Sequence, residues 1–168
     1  MTTGATFSRL LAPEQFVKHI QSQFGVDLSK PFKGRTPVLQ RYLLPLGGMD
    51  HDTVYDRDRQ IKVQNLLDVQ AIAWEAAVRI IEQEQRPRLA RIFVESQPAR
   101  VTPENNAEQW AARLMDFFTT IQSRPPTNQE ISFFDQKFRH LLLQKASPQQ
   151  AWTAVVYTLL ASLEFWNL

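Results

Sequence analysis

The sequence predicts an all-α fold: a single compact helical bundle of about five to six helices over residues 1–168, with a long irregular segment near residues 26–59 draped over it. Three observations predict it. Apolar residues recur at helical spacing in several segments, most clearly after residue 101. Hydroxyl and proline start signals precede the last three of those segments. No stretch alternates apolar and polar residues with the period of two that a half-buried strand needs. The length of 168 residues supports one sizeable core, and an apolar fraction of 43% is ordinary for a globular chain.

Taken in order, Pro13 stands at the first position of a helix, just before "EQFVKHIQSQF". Phe16, Val17, Ile20 and Phe24 then share one face, and Gly25 ends it. Residues 26–59 contain Pro31, Pro37, Pro45 and the pair Gly47-Gly48, so they read as loop, with one short helix near residues 36–43. From Gln60 to about Gln85 the pattern is helical again. Leu66, Val69, Ala73, Ala76 and Ile80 form the stripe, and Trp74 and Ile81 widen it. Pro87 forces a break or kink before a shorter helix, "RLARIFVE"; its apolar run "ARIFVE" has a strand as the minority reading, against which stand Arg91 and the helical spacing.

The remaining helices each open on their own signal. Thr102-Pro103 reads as an N-cap with proline behind it, Thr127 with Glu130 as a capping box, and Ser147 with Gln150 as another with Pro148 at the first helical position. The stripes behind them are Ala107, Trp110, Leu114, Phe117, Ile121; then Ile131, Phe134, Phe138, Leu141, Leu142; then Trp152, Val155, Val156, Leu159, Leu160, Leu163. "RPPTNQE" is therefore punctuation: Pro125 and Pro126 stop one helix, and Thr127 and Glu130 start the next. Trp74, Trp110 and Trp152 are all expected in the core.

Charge excludes one function class. Net charge is +2, residues 1–84 carry ten basic and ten acidic groups, and residues 85–168 carry nine and seven. That evenness gives no electrostatic footprint for nucleic acid. The most basic stretch, "RPRLAR", is flanked by Glu82, Glu84 and Glu95 and reads as a solvated helical turn. The chain holds no cysteine, so disulfides, thiolate nucleophiles, zinc-thiolate sites and thioether-linked haem are excluded. No apolar run has the length of a membrane span, and the opening residues lack the charged and apolar regions of a signal peptide. Compartment and oligomeric state do not follow from these features.

The densest polar constellation is "GGMDHDTVYDRDR", with Asp50, His51, Asp52, Asp56 and Asp58 after Gly47-Gly48. Asp50, Asp52, Asp56 and Asp58 are the candidate ligands for a hard cation, because carboxylate oxygens suit such ions. Against that reading, the spacing is not that of an EF-hand, and Arg57 and Arg59 interleave to neutralise the acids in a solvated loop. His19, His51 and His140 are scattered and fit neither E-x-x-H nor H-E-x-x-H. His140 is either an axial haem ligand or a partly exposed helix histidine. No G-x-S-x-G elbow, G-x-G-x-x-G turn or P-loop is present. Phe165 and Trp166, beyond the last stripe, either pack back on the bundle or present an aromatic patch to a protein partner.

A resemblance adds to this reading. The segment "AEQWAARLMDFFTTIQSRPPTNQEISFFDQKFRHLLLQKASPQQAWTAVVYTLLASLEFWNL" resembles the helical modules of large planctomycete-type secreted proteins associated with c-type cytochrome domains. The matching residues are Arg124, Pro125, Thr127 and Glu130 in the turn, and Ser147, Ala151, Leu160, Ser162, Glu164 and Phe165 in the final helix. The opening "FSRLLAPEQFVKHIQSQFGVD" is similar to the first helix of the same group. Phycobilisome linker domains carry a looser version of the same turn and helix end. The resemblance implies an exported or periplasmic helical accessory module that meets a redox or surface partner. The family's C-x-x-C-H haem attachment is missing here, so no covalent haem is implied and no functional residue carries over.

Three functions remain in order of support. The first is a non-catalytic accessory or interaction module with a protein partner and no cofactor of its own. The second is an electron-transfer subunit holding non-covalent haem or metal through His140, His19 or the Asp50–Asp58 loop. The third is an enzyme that uses converging carboxylates.

Overall fold

The computed structural model describes residues 13–42, 63–83 and 100–162. Among them lie six helices: α1 (Pro13–Phe24), α2 (Val38–Tyr42), α3 (Val63–Gln83), α4 (Ala107–Gln122), α5 (Asn128–Leu143) and α6 (Pro148–Leu160). The described residues form no strand, only an isolated bridge between Phe32 and Arg35, so the fold is all-α.

In α1, Phe16, Val17, Ile20 and Phe24 are all buried. Gly25 ends the helix at φ 66°, and its N–H donates to the Gln21 carbonyl at 2.9 Å. This left-handed end satisfies a carbonyl that the last turn leaves orphaned. Val26 and Leu28 continue the core beyond it. The chain then reverses at Lys33 (φ 49°) and Gly34 (φ 75°), clamped by reciprocal Phe32–Arg35 backbone hydrogen bonds of 3.3 and 2.9 Å. Two successive positive φ values make this a tight reversal of the type found in two-residue hairpins. Pro37 precedes α2, which falls within the short helix expected there.

α6 is the hub. Ala151, Trp152, Val155, Val156, Leu159 and Leu160 are buried, and α3, α4 and α5 all pack against it. α3 also meets α2, which in turn touches α1, so α3 links the N-terminal segment to the last three helices. The buried apolar residues of all six helices and the segments between them form one cluster. Its largest fully buried side chains include Trp152, Phe16, Phe117, Phe118 and Phe138, each stabilising the fold by roughly 1.5–3 kcal/mol through burial.

The caps at Thr127 and Ser147 form as expected. Each hydroxyl accepts from the backbone N–H three residues on, and Glu130 and Gln150 reach back to the cap N–H. The start of α4 differs from the sequence expectation. Thr102 and Asn105 instead close a turn on each other: Thr102 N donates to Asn105 Oδ1 at 2.7 Å and Asn105 N to Thr102 Oγ1 at 3.2 Å. The helix begins at Ala107, where Asn106 Oδ1 accepts from Gln109 N at 3.0 Å. Asparagine is as good a cap as threonine, and here the second signal prevails because the first is used by a turn.

The second correction is Trp74. It was expected in the core with Trp110 and Trp152, yet it is 50% exposed while they are 3% and 0%. The α3 core stripe consists of Val69, Ile72, Ala73, Ala76, Ala77, Ile80 and Ile81, and Trp74 falls on its outer flank. The expected helix "RLARIFVE", the Gly47-Gly48 turn and Leu163 lie outside the described residues. No helix among the described residues is long and apolar enough to cross a membrane.

Candidate functional site

Three polar or aromatic assemblies stand out, and two of them are structural in character. Within the bundle, Trp152 is ringed by Trp110 (centroids 6.1 Å), Phe117 (5.8 Å) and Phe138 (5.1 Å). The Arg113 guanidinium lies over Trp152 at 4.5 Å and near Phe117 at 5.4 Å, a cation–π arrangement inside the core. Trp152 Nε1 donates to the Val101 carbonyl at 2.8 Å, which ties residues leading into α4 to α6.

The second assembly fixes the reversal after α1 against α3. Arg79, buried, donates to the Asp27 carbonyl at 2.7 Å, the Lys30 carbonyl at 2.9 Å and Glu75 Oε1 at 2.6 Å. The Phe32 ring covers its guanidinium at 4.7 Å. Glu75 also pairs with Arg41 of α2, and Lys33 pairs with Glu82 at 2.5 Å. One planar, forked side chain thus serves two carbonyls that no helix or strand ladder serves. Nearby, the Ser29 hydroxyl and N–H bond to Asp27, and these hydrogen bonds lower the Asp27 pKa.

The third assembly is a surface. Leu67, Gln70, Ala71, Trp74 and Val78 recur at the three-, four- and seven-residue spacings of one helix face along α3. Leu67 is 55% exposed, and Ala71 and Val78 are half-buried. On α6, Ala154 and Tyr157 are half-buried, Gln150 and Thr158 are exposed, and Ala161 follows on the same face. The two helices are joined at the surface by Trp74 and Tyr157, whose rings meet edge to face at 5.5 Å and 78°. Among the described residues, Leu143 and Phe133 on α5 and Met115 on α4 are the other exposed large apolar side chains, and Phe133 is covered in part by Lys137.

Among the described residues, neither α3 nor α6 presents a charged side chain on this face. α6 has no ionisable acid or base except Tyr157. The four charged residues of α3 are directed elsewhere: Asp68 and Arg79 are buried, Glu75 faces Arg79 and Arg41, and Glu82 faces Lys33. A signal for this face was present in the sequence. α3 is apolar on two sides, and α6 is uncharged throughout, whereas a helix at the edge of a bundle ordinarily turns one charged face to water.

Of the residues singled out in the sequence, Asp50, His51, Asp52, Asp56 and Asp58 lie outside the described residues, as do Phe165 and Trp166. His19 sits half-buried on α1, and His140 is exposed on α5, where Nε2 meets the Gln144 amide nitrogen at 3.0 Å. The two histidines belong to helices that are not packed as a major contact pair. Among the described residues no three of His, Asp and Glu come together as a metal-binding group. The turn residues Arg124, Thr127 and Glu130 do converge. Arg124 forks onto Glu130 at 2.7 and 3.0 Å, while Thr127 N and Oγ1 donate to the same carboxylate at 2.7 and 2.8 Å. These hydrogen bonds, Arg124's first, hold the Glu130 pKa down to about 2. Comparison of the chain with protein-family models, curated proteins and solved structures finds no match.

Proposed function

We propose that this chain is a non-catalytic, all-α interaction module that docks a protein partner as an accessory part of a larger assembly. The observation that carries the reading is the half-exposed Trp74, joined to Tyr157 on an uncharged α3/α6 face. Tryptophan and tyrosine are the side chains most enriched where binding energy concentrates, and interface centres are depleted in charge. A tryptophan left half in water contributes less to folding than one buried in the core, so its presence there is better explained by a contact outside the chain. The resemblance to helical modules of cytochrome-associated secreted proteins supplies a setting, a redox or surface assembly in which such a module would be an accessory part.

The test is capture by the immobilised full chain under native conditions, run beside a Trp74→Lys variant that keeps its helical circular dichroism and melting temperature. A partner held by the parent and released by the variant supports the reading. Equal capture by both overturns the assignment of this face.

A further inference from the structure

The turn between α1 and α2 is held to the helices by charge and not by apolar burial. Residues 29–36 contain no buried side chain: all are exposed except Phe32, which is half-buried. Buried residues bracket them, Leu28 before and Pro37 and Val38 after. A Cβ placed on Gly34, at the tip, would meet nothing within 4 Å, so the tip rests against no neighbour. The fastenings all involve a cation. One nitrogen of the Arg79 guanidinium, Nη2, donates to the Lys30 carbonyl at 2.9 Å, and the Phe32 ring lies over the same guanidinium at 4.7 Å. Lys33 pairs with Glu82 at 2.5 Å, and Arg41 Nε donates to the Thr36 carbonyl at 3.0 Å.

We propose that residues 29–36 are a strap latched over Arg79, which opens as a local unit while the bundle stays folded and so uncovers that guanidinium.

Burial sets where the motion stops. A segment opens by itself when it gives up few buried apolar contacts, and here only the half-buried Phe32 ring is given up. Leu28 and Val38 are both 0% exposed, so they anchor the two ends of the strap in the core.

Backbone conformation favours release. Lys33 is held at φ 49° and Gly34 at φ 75°, and a residue with a Cβ is disfavoured in that left-handed region. Opening lets Lys33 relax.

Opening also strands no buried charge. Arg79 Nη1 donates to the Asp27 carbonyl at 2.7 Å, on the core side of Leu28, and Nη2 reaches Glu75 Oε1 of its own helix at 2.6 Å. Both contacts survive, and the face that Phe32 covered meets water. A buried cation deprived of every partner would oppose the motion, and this one is not so deprived.

The experiment is hydrogen exchange followed by nuclear magnetic resonance on the full chain, in a series of urea concentrations below the unfolding transition. The reporters are the Phe32 and Arg35 amides, which bond reciprocally across the turn at 3.3 and 2.9 Å, and the Arg79 Nε–H beneath it. The α6 amides report opening of the bundle. In the parent, the two turn amides exchange at a rate nearly indifferent to urea, because little surface is exposed, while the α6 amides accelerate steeply. Two variants probe the latch. Glu82→Gln removes the ionic partner of Lys33 and leaves the strap sequence unchanged. Gly34→Ala adds a Cβ at a positive φ without a clash. Corrected for intrinsic rates, each accelerates the Phe32 and Arg35 amides and the Arg79 Nε–H by about two- to fivefold and leaves α6 unchanged. Turn amides that follow α6 in their urea dependence overturn the local unit. Turn amides indifferent to Glu82→Gln overturn the latch. An Arg79 Nε–H that stays protected while the turn amides accelerate overturns the uncovering.

Discussion

Glu130 gives a test in which sign and size both follow from the structure. Its carboxylate accepts two hydrogen bonds from Arg124 and two from Thr127, and its pKa is about 2, against an ordinary 4.5. A difference of that size corresponds to at most about 3 kcal/mol of stability. Both side chains are about a third exposed, 34% for Arg124 and 30% for Glu130, so solvent screening reduces the value to about 1–2 kcal/mol. A depressed carboxyl pKa contributes in full above the unfolded value and is lost as pH falls toward the folded one. The window therefore runs from about 4.5 down to about 2. Glu130→Gln isolates this effect, because glutamine still completes a capping box with Thr127 and removes only the charge facing Arg124. At pH 7 the variant should be less stable by about 1–2 kcal/mol in urea unfolding followed by circular dichroism. The gap should narrow steadily as both proteins are taken from pH 5 toward pH 3. A gap that is the same at every pH, or that widens in acid, would refute the account of the turn.

Other outcomes follow from the same contacts. Arg79→Ala should cost about 3 kcal/mol or more in the same unfolding assay, because it leaves the Lys30 carbonyl and part of Glu75 unserved and the Asp27 carbonyl with only a long 3.5 Å bond from Lys30 N. Trp152→Phe should cost about 2 kcal/mol, since the Val101 carbonyl loses its donor, whereas Trp110→Phe should cost about half of that. The asymmetry arises because Trp110 Nε1 is buried with no hydrogen-bond partner among the described residues. Asn106→Ala and Ser147→Ala should each lower stability by about 1 kcal/mol by removing an N-cap acceptor, measured as a shift in urea midpoint.

Most of the bundle was legible because its signals are local. A capping box specifies its own helix start from residues three apart, and Thr127–Glu130 and Ser147–Gln150 both form at the positions read from sequence. Phe16, Ile20 and Phe24 mark a buried face by spacing alone. The start of α4 was misplaced because Thr102-Pro103 and Asn106 are both valid signals, and local chemistry does not say which of them a turn will use. The Arg79 assembly was invisible for a different reason. It joins residues 27, 30, 41, 75 and 79, and no spacing rule connects a guanidinium to carbonyls about fifty positions away. The acidic loop of Asp50, Asp52, Asp56 and Asp58, and the aromatic pair Phe165 and Trp166, fall outside the described residues, so the site residues read from sequence and the face read from structure do not overlap.

Trp74 joins the two kinds of failure. Its position on α3 satisfies the helical period, and its size favours burial, so every local rule assigns it to the core. Yet the small residues Ala73, Ala76 and Ala77 occupy the buried side, together with Val69, Ile72, Ile80 and Ile81. α3 packs against α6, and small buried residues such as these leave little room for an indole between packed helices. The ring is displaced to the edge of the α3/α6 seam, where Tyr157 supports it from one side and water meets the other. Close packing within the bundle thus produces an aromatic edge at its surface. Among the described core positions, a large aromatic that local rules assign to the interior and the fold leaves at the surface marks a place where selection for something other than folding is to be sought.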